Sequence, residues 1–170
     1  HQALADGRMD WVWVAAEKAG LPIMLMVSPD QLELVDRIAE RHPGLRFAID
    51  HFARHHGMKD EEAYADLDQL LALAQRPNVA VKASGMPADT TDSYPYRRVH
   101  FYLRRVYDAF GRRRVFWGTD LTKLPCTYRQ AVTMFTEEIP WFSSEDKEWI
   151  MGRGLCEWLG WALPQRKAGS

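Results

Sequence analysis

Three short runs of the chain end in, or carry, side chains that can do acid–base or electrostatic chemistry. The run VFWGT is followed by Asp120, the run FAID by His51, and the run NVAVKAS carries Lys82 and Ser84. A carboxylate can activate water as a general base, and an imidazole can polarise a carbonyl oxygen or stabilise an oxyanion. Together these groups suit the attack of water on an ester or amide carbonyl, provided that the fold brings them together.

Asp120 has two interpretations from its position alone. It can be a general base, or a metal-bound carboxylate whose ion lowers the pKa of the attacking water. It can equally be the N-cap of the segment that follows residue 120. Strand position favours neither interpretation.

His51 is predicted to polarise the scissile carbonyl, with a buried histidine that is hydrogen-bonded to the backbone as the alternative. Asp50 precedes it in a strand-like run. Because side chains alternate along a strand, we expect Asp50 to point to the opposite face, toward a layer of helices.

Basic side chains near the same strand ends could hold a substrate carboxylate. Lys82 and Ser84 lie two residues apart and so share one strand face, which we predict is the interior. Lys82 either binds substrate there or forms an internal ion pair. Arg54 and Lys123 follow strand ends in loops, where they either bind a carboxylate or are solvated. These groups weakly favour an anionic substrate.

Strand and helix patterns alternate along the chain about every 35 residues, which predicts a parallel sheet with right-handed crossovers. The strand patterns span residues 21–27, 45–52, 78–85 and 114–119. The helical patterns span roughly residues 9–19, 29–41, 61–75, 95–110, 127–138 and 144–160. In such folds ligands bind at the carboxyl ends of the strands, where the polar groups above are found.

Two α/β folds fit this order, an open doubly wound sheet and part of a (β/α)8 TIM barrel. Neither a G-x-G-x-x-G turn nor a phosphate-binding loop occurs, which favours the barrel. A complete barrel needs about 250 residues, so the 170 residues and about four strands predict one domain, 1–170, that is half a barrel. Half a barrel has raw edges, and we expect a missing N-terminal half or a second copy, as in a homo-oligomer, to cover them.

Composition argues against several classes of partner. The formal net charge is -1, which provides no electrostatic reason to expect nucleic acid or an anionic membrane. No apolar run approaches the roughly 18 residues of a membrane helix, and residues 1–6 lack the pattern of a signal peptide. Cys126 and Cys156 lie far apart and are interpreted as reduced thiols. These features predict a cytoplasmic protein with a small-molecule substrate.

Four segments resemble the amidohydrolase-related proteins, also called amidohydrolase family 2. They are FAIDHFA (47–53), PNVAVKASG (77–85), VFWGTD (115–120) and IMGRGLCEWLGW (150–161), and the resemblance extends over about residues 10–164. It implies the C-terminal half of a TIM barrel, with its last four strand–helix units. The first strand and its Pro-Asp helix start are most similar to the sugar-lactone and muconolactone hydrolases.

The chain departs from the family pattern at its metal ligands. The family's H-x-H on the first barrel strand does not occur, and Met26 stands where metal-dependent members commonly place a histidine. The asparagine of the usual final N-A-x-R-L is also missing. The resemblance therefore implies either no metal or one divalent ion, such as zinc, bound by Asp120 and by ligands outside this chain.

The leading hypothesis is a hydrolase that opens a lactone, or a related cyclic ester or amide, of a small acidic molecule. Asp120 would activate water and His51 would polarise the carbonyl, while the substrate would be placed by Arg54, Lys82 and Ser84. The alternatives are a metal-dependent decarboxylase of the same superfamily and a non-catalytic half-barrel assembly module. We expect little activity from the 170-residue chain alone.

Overall fold

The computed structural model describes residue 4 and residues 6–163. The prediction about a signal peptide in residues 1–6 and the ends of the predicted domain 1–170 therefore lie partly outside the described residues. The strands are β1 (Ile23–Leu25), β2 (Phe47–Ile49), β3 (Val79–Ser84) and β4 (Val115–Gly118).

Helices follow each strand, as the apolar patterns predict. They are α1 (Asp10–Ala19), α2 (Leu32–Arg41), α3 (Asp60–Ala63), α4 (Leu67–Ala72), α5 (Arg97–Phe110), α6 (Tyr128–Thr136), α7 (Ser144–Glu148) and α8 (Gly154–Leu159). The predicted helix 61–75 is divided, because Tyr64 leaves helical geometry between α3 and α4. A π-helical turn, Trp149–Arg153, likewise joins α7 to α8. Among the described residues no helix is both long and apolar enough to cross a membrane.

The four strands form one sheet in which every pair of neighbours is parallel. Their spatial order is β1-β2-β3-β4, the same as their order in the chain. A doubly wound sheet reverses its strand order at a switch point, whereas a barrel winds in one direction. The prediction of four barrel strands alternating with helices is confirmed, and the chain forms half of a (β/α)8 barrel.

The two faces of the sheet pack against different partners. The outer face forms the main core with the apolar sides of the helices, and Phe47, Ile49, Val79 and Val81 are fully buried there. The inner face carries Ala48, Ala80 and Phe116, which pack near its base against Leu155 and Trp158 of α8. Because α8 covers only the base, the upper part of the inner face remains available for polar side chains.

Among the described residues the sheet has two free edges, one at β4 and the other at β1. Within the described part of the chain, β1 pairs with β2 alone. Met24 and Met26 are 37% and 74% exposed beside this edge, and Leu21 is 61% exposed. Such an edge can pair with another strand. That a second copy or another half barrel covers it stays a prediction.

Candidate active site

A left-handed turn at the end of β2 positions His51. The turn Asp50–Ala53 follows Ile49 directly, and its residues His51, Phe52 and Ala53 have φ values of 52°, 55° and 48°. Residues other than glycine rarely adopt this conformation, so packing has to maintain it. Phe52 and Ala53 are buried in the main core, which anchors the turn. The turn breaks the strand alternation and directs the His51 ring toward the end of β3.

Ser84, the last residue of β3, offers His51 two hydrogen-bond partners. Nδ1 of His51 lies 2.9 Å from the Ser84 hydroxyl oxygen and 3.1 Å from the Ser84 carbonyl oxygen. If Nδ1 accepts from the hydroxyl, Nε2 carries the proton, whereas if Nδ1 donates to the carbonyl, Nε2 is free to accept. Ser84 therefore contacts the imidazole and governs which tautomer faces the barrel mouth.

Asp120 lies directly across from His51. It follows β4 with φ 49° and precedes the short turn Leu121–Lys123, but its side chain makes no capping hydrogen bond to that turn. Instead its Oδ2 atom lies 3.8 Å from Nε2 of His51, and the two side chains are 27% and 17% exposed. The structure thus brings together the two residues predicted to be catalytic.

Gly85, for which the sequence predicted no role, makes this approach possible. It has φ 71°, and a Cβ at this position would lie 3.3 Å from Cβ of Asp120 and 3.6 Å from Nδ1 of His51. Any side chain here would push between the two residues. The only sequence signal was a glycine directly after a strand, at a place where a ligand or another backbone often approaches.

Lys82 forms an ion pair with Asp50, and the predicted orientation of Asp50 is wrong. Nζ of Lys82 lies 2.8 Å from Oδ1 of Asp50, although without the angles of a hydrogen bond. Asp50 continues the alternation of Ala48 and so points to the inner face. His51 is the residue that departs from alternation, because of its left-handed backbone.

Arg54 is held by a buried carboxylate. Its Nε donates to Asp89, and the two side chains are only 8% and 4% exposed. The Tyr64 hydroxyl donates to the other Asp89 oxygen over 3.0 Å. Burial raises the pKa of Asp89 to about 6, while Arg54 and Tyr64 oppose that rise. Arg54, Lys82 and Ser84 already contact Asp89, Asp50 and His51, respectively. That any of the three also binds substrate directly stays a prediction.

A cavity of about 200 Å³ lies beside His51, between the carboxyl ends of β1 and β2. It is lined by Met26, Val27, Ser28, Gln31, Asp50, His51, Ala53, Arg54 and His56. A larger cavity of about 780 Å³ lies at the opposite end of the strands, beside Arg46, Pro77 and Trp158. It contains neither catalytic candidate, and barrel active sites lie at the carboxyl ends.

The described residues do not complete a metal centre. Among them no group of three or more His, Cys, Asp or Glu side chains is placed to hold an ion. His51 and Asp120 supply two donors, whereas catalytic zinc sites use three protein ligands. Met26 offers a thioether, a soft ligand poorly matched to the carboxylate and imidazole beside it. A zinc ion here would need ligands from outside the described part of the chain.

Several known proteins are similar to the chain. It is 32% identical over 127 residues to an L-fucono-1,5-lactonase of Burkholderia ambifaria, covering 70% of this chain and 43% of the lactonase. Its fold resembles a zinc-bound amidohydrolase from Burkholderia multivorans, with TM-score 0.76, 20% identity, and coverage of 88% of this chain and 56% of that one. It also resembles a putative 2-pyrone-4,6-dicarboxylic acid hydrolase from Pseudomonas putida, with TM-score 0.65, 23% identity, and coverage of 87% and 55%.

The chain spans about half the length of these relatives. Its sequence matches the amidohydrolase family over residues 1–153, which is most of the chain. The half barrel, the residues at its strand ends and this match agree, and the chain belongs to the amidohydrolase family.

Proposed function

We propose that the protein is a hydrolase that opens a lactone, or a related cyclic ester or amide, by water that a carboxylate activates. One observation carries the proposal, the 3.8 Å approach of His51 Nε2 and Asp120 Oδ2 at the carboxyl ends of β2 and β4. Membership of the amidohydrolase family supports the hydrolytic chemistry. The similarity to a lactonase supports the choice of a cyclic ester.

The spacing of the two residues suits a shared water molecule. A water oxygen can lie at about 2.8 Å from both atoms, the usual hydrogen-bond length, when these are 3.8 Å apart. Asp120 would accept a proton from this water as its oxygen attacks the carbonyl carbon. The partial exposure of Asp120 leaves that carboxylate accessible from the barrel mouth.

His51 would act on the carbonyl oxygen. With the Ser84 hydroxyl donating to Nδ1, the proton lies on Nε2, and once substrate binds Nε2 donates to the carbonyl oxygen, where negative charge develops, while the water stays on Asp120. After ring opening, the proton held by Asp120 can pass to the alkoxide or amine that leaves. Ser84 positions the imidazole in this scheme.

The test is hydrolysis of D-glucono-1,5-lactone by the full chain in the assembly that it forms, followed as acid release above the spontaneous rate at constant pH. We expect Asp120→Asn to lower turnover by at least about 10²-fold, the usual contribution of a general base. Asp108→Asn is the control, since Asp108 pairs with Arg104 on the exposed side of α5. Equal rates for wild type and Asp120→Asn would overturn the proposal.

Two further outcomes separate the alternatives. Release of carbon dioxide from an acidic substrate, without consumption of water, would favour the decarboxylase. Absence of any turnover, with assembly unaffected by Asp120→Asn, would favour the non-catalytic module. Exhaustive chelation tests the metal, because a complete loss of activity that zinc restores would show that ligands beyond these residues complete a centre.

A further inference from the structure

We propose that Asp50 determines the charge of the substrate, so that the cavity accepts an uncharged cyclic ester or amide and rejects an acidic one. This inference rests on the hydrolase activity proposed above. It opposes the acidic substrate that the basic residues near the strand ends favoured in the sequence. The charge preference of the site depends on which charges at the barrel mouth are already neutralised.

Asp50 neutralises the cation that is best placed on the inner face. The 2.8 Å separation between Lys82 and Asp50 joins side chains that are only 28% and 17% exposed. A substrate carboxylate would have to compete with a carboxylate that is fixed in position and carries no cost of association. Asp50 lines the cavity beside His51 and Lys82 does not, so an acidic ligand would approach the anionic side of this ion pair.

Asp89 neutralises the second cation in the same way. Arg54 lines the cavity, but its guanidinium is bound to Asp89, whose pKa of about 6 leaves it ionised at neutral pH. Tyr64 holds the other oxygen of that carboxylate, which fixes the pair in the core. Arg54 therefore contributes shape and hydrogen-bonding capacity to the cavity, and little net charge.

The remaining charges do not favour an anion. Asp120 adds a second carboxylate at the mouth. Lys123 and His56 lie nearby in loops, but both are exposed, and exposed charges are screened by solvent and salt. In the part of the chain that the structure describes, an acidic ligand thus faces Asp50 and Asp120 without a free buried cation. Hydroxyl groups, by contrast, donate well to such carboxylates.

The experiment compares one neutral and one acidic ligand at neutral pH. The full chain is assayed on D-glucono-1,4-lactone and on D-glucaro-1,4-lactone, which has the same ring but bears a carboxylate. Binding of the corresponding lactams, whose amide bond is far less reactive than the lactone ester, is followed by NMR of the His51 imidazole. We expect at least about tenfold preference for the neutral ligand, because like charges placed together at a binding site are strongly unfavourable.

The two readouts separate failure of this inference from failure of the proposed function. Faster hydrolysis of the acidic lactone would overturn this inference but would still support the proposed hydrolase activity. Preferential binding of the neutral lactam without hydrolysis of either lactone would support the inference and overturn the activity. If the chain shows no binding and no hydrolysis, both this inference and the proposed function are overturned.

Matched variants assign the preference to Asp50. Asp50→Asn frees Lys82, and we expect it to lower the preference for the neutral over the acidic ligand at least about threefold. Asp36→Asn is the control, because Asp36 pairs with Arg76 at similar exposure and lies outside the cavity. Lys82→Gln covers the case in which Asp50→Asn does not fold. It leaves Asp50 without its cation and should raise the preference for the neutral ligand. A lower preference in Lys82→Gln would contradict the proposal.

Discussion

Replacing Gly85 by alanine tests whether the close approach of His51 and Asp120 depends on the missing side chain. Gly85 has φ 71°, and an added Cβ would meet Asp120 Cβ at 3.3 Å, Asp120 Oδ2 at 3.5 Å and His51 Nδ1 at 3.6 Å. Carbon atoms in favourable contact are about 3.5–4.0 Å apart. Asp120 would therefore have to move by a few tenths of an ångström, or the turn that carries it would.

The expected cost has two parts that a control variant separates. A residue with a Cβ in the left-handed region costs roughly 1–2 kcal/mol. Gly57 has φ 81° with nothing within 4 Å of an added Cβ, so Gly57→Ala carries only that cost. Gly85→Ala adds crowding in a packed site, worth about 1–3 kcal/mol. The difference between the two variants measures the crowding alone.

Urea unfolding of the full chain measures this difference, and NMR of the His51 imidazole reports the site. We expect Gly85→Ala to lose more unfolding free energy than Gly57→Ala and to shift the His51 resonances, which Gly57→Ala leaves in place. Turnover should fall by up to about 10²-fold for Gly85→Ala, since small displacements of catalytic groups are costly. Equal unfolding free energies and unmoved His51 resonances would refute this account of Gly85.

Two further predictions concern the neighbours of His51. Because burial holds the pKa of Asp89 at about 6, above its ordinary 3.8, the folded chain retains the Asp89 proton more tightly than the unfolded chain. The stability contributed by this group is therefore complete below pH 3.8 and lost as the pH rises through about 6, and Asp89→Asn should flatten the urea-unfolding profile across that window. An unchanged profile would contradict the raised pKa. Ser84→Ala leaves only the carbonyl as partner for Nδ1, so NMR should show the His51 proton moving from Nε2 to Nδ1, with turnover falling roughly 10²-fold. An unaltered tautomer would show that the Ser84 hydroxyl does not position the imidazole.

Local sequence patterns were enough to predict the architecture. Apolar runs with β-branched residues marked the strands, and stripes of period 3.6 marked the helices, because burial of one or both faces imposes these repeats directly. The helix predicted over 61–75 failed at Tyr64, whose hydroxyl binds Asp89, a residue 25 positions away. A local pattern contains no information about such a distant partner.

The order of strands along the sequence was enough to place His51, Lys82, Ser84 and Asp120 near one rim, since parallel strands present their carboxyl ends at the same side of a sheet. What each of these side chains contacts follows from the folded backbone. The left-handed turn at His51 brought this side chain to the same cavity as Asp50, against the predicted alternation, and the docking of two loops paired Arg54 with Asp89. These pairings depend on backbone geometry and on contacts between distant segments. The sequence predicted a rim with basic side chains, whereas in the structure Lys82 and Arg54 at this rim are paired with the carboxylates of Asp50 and Asp89.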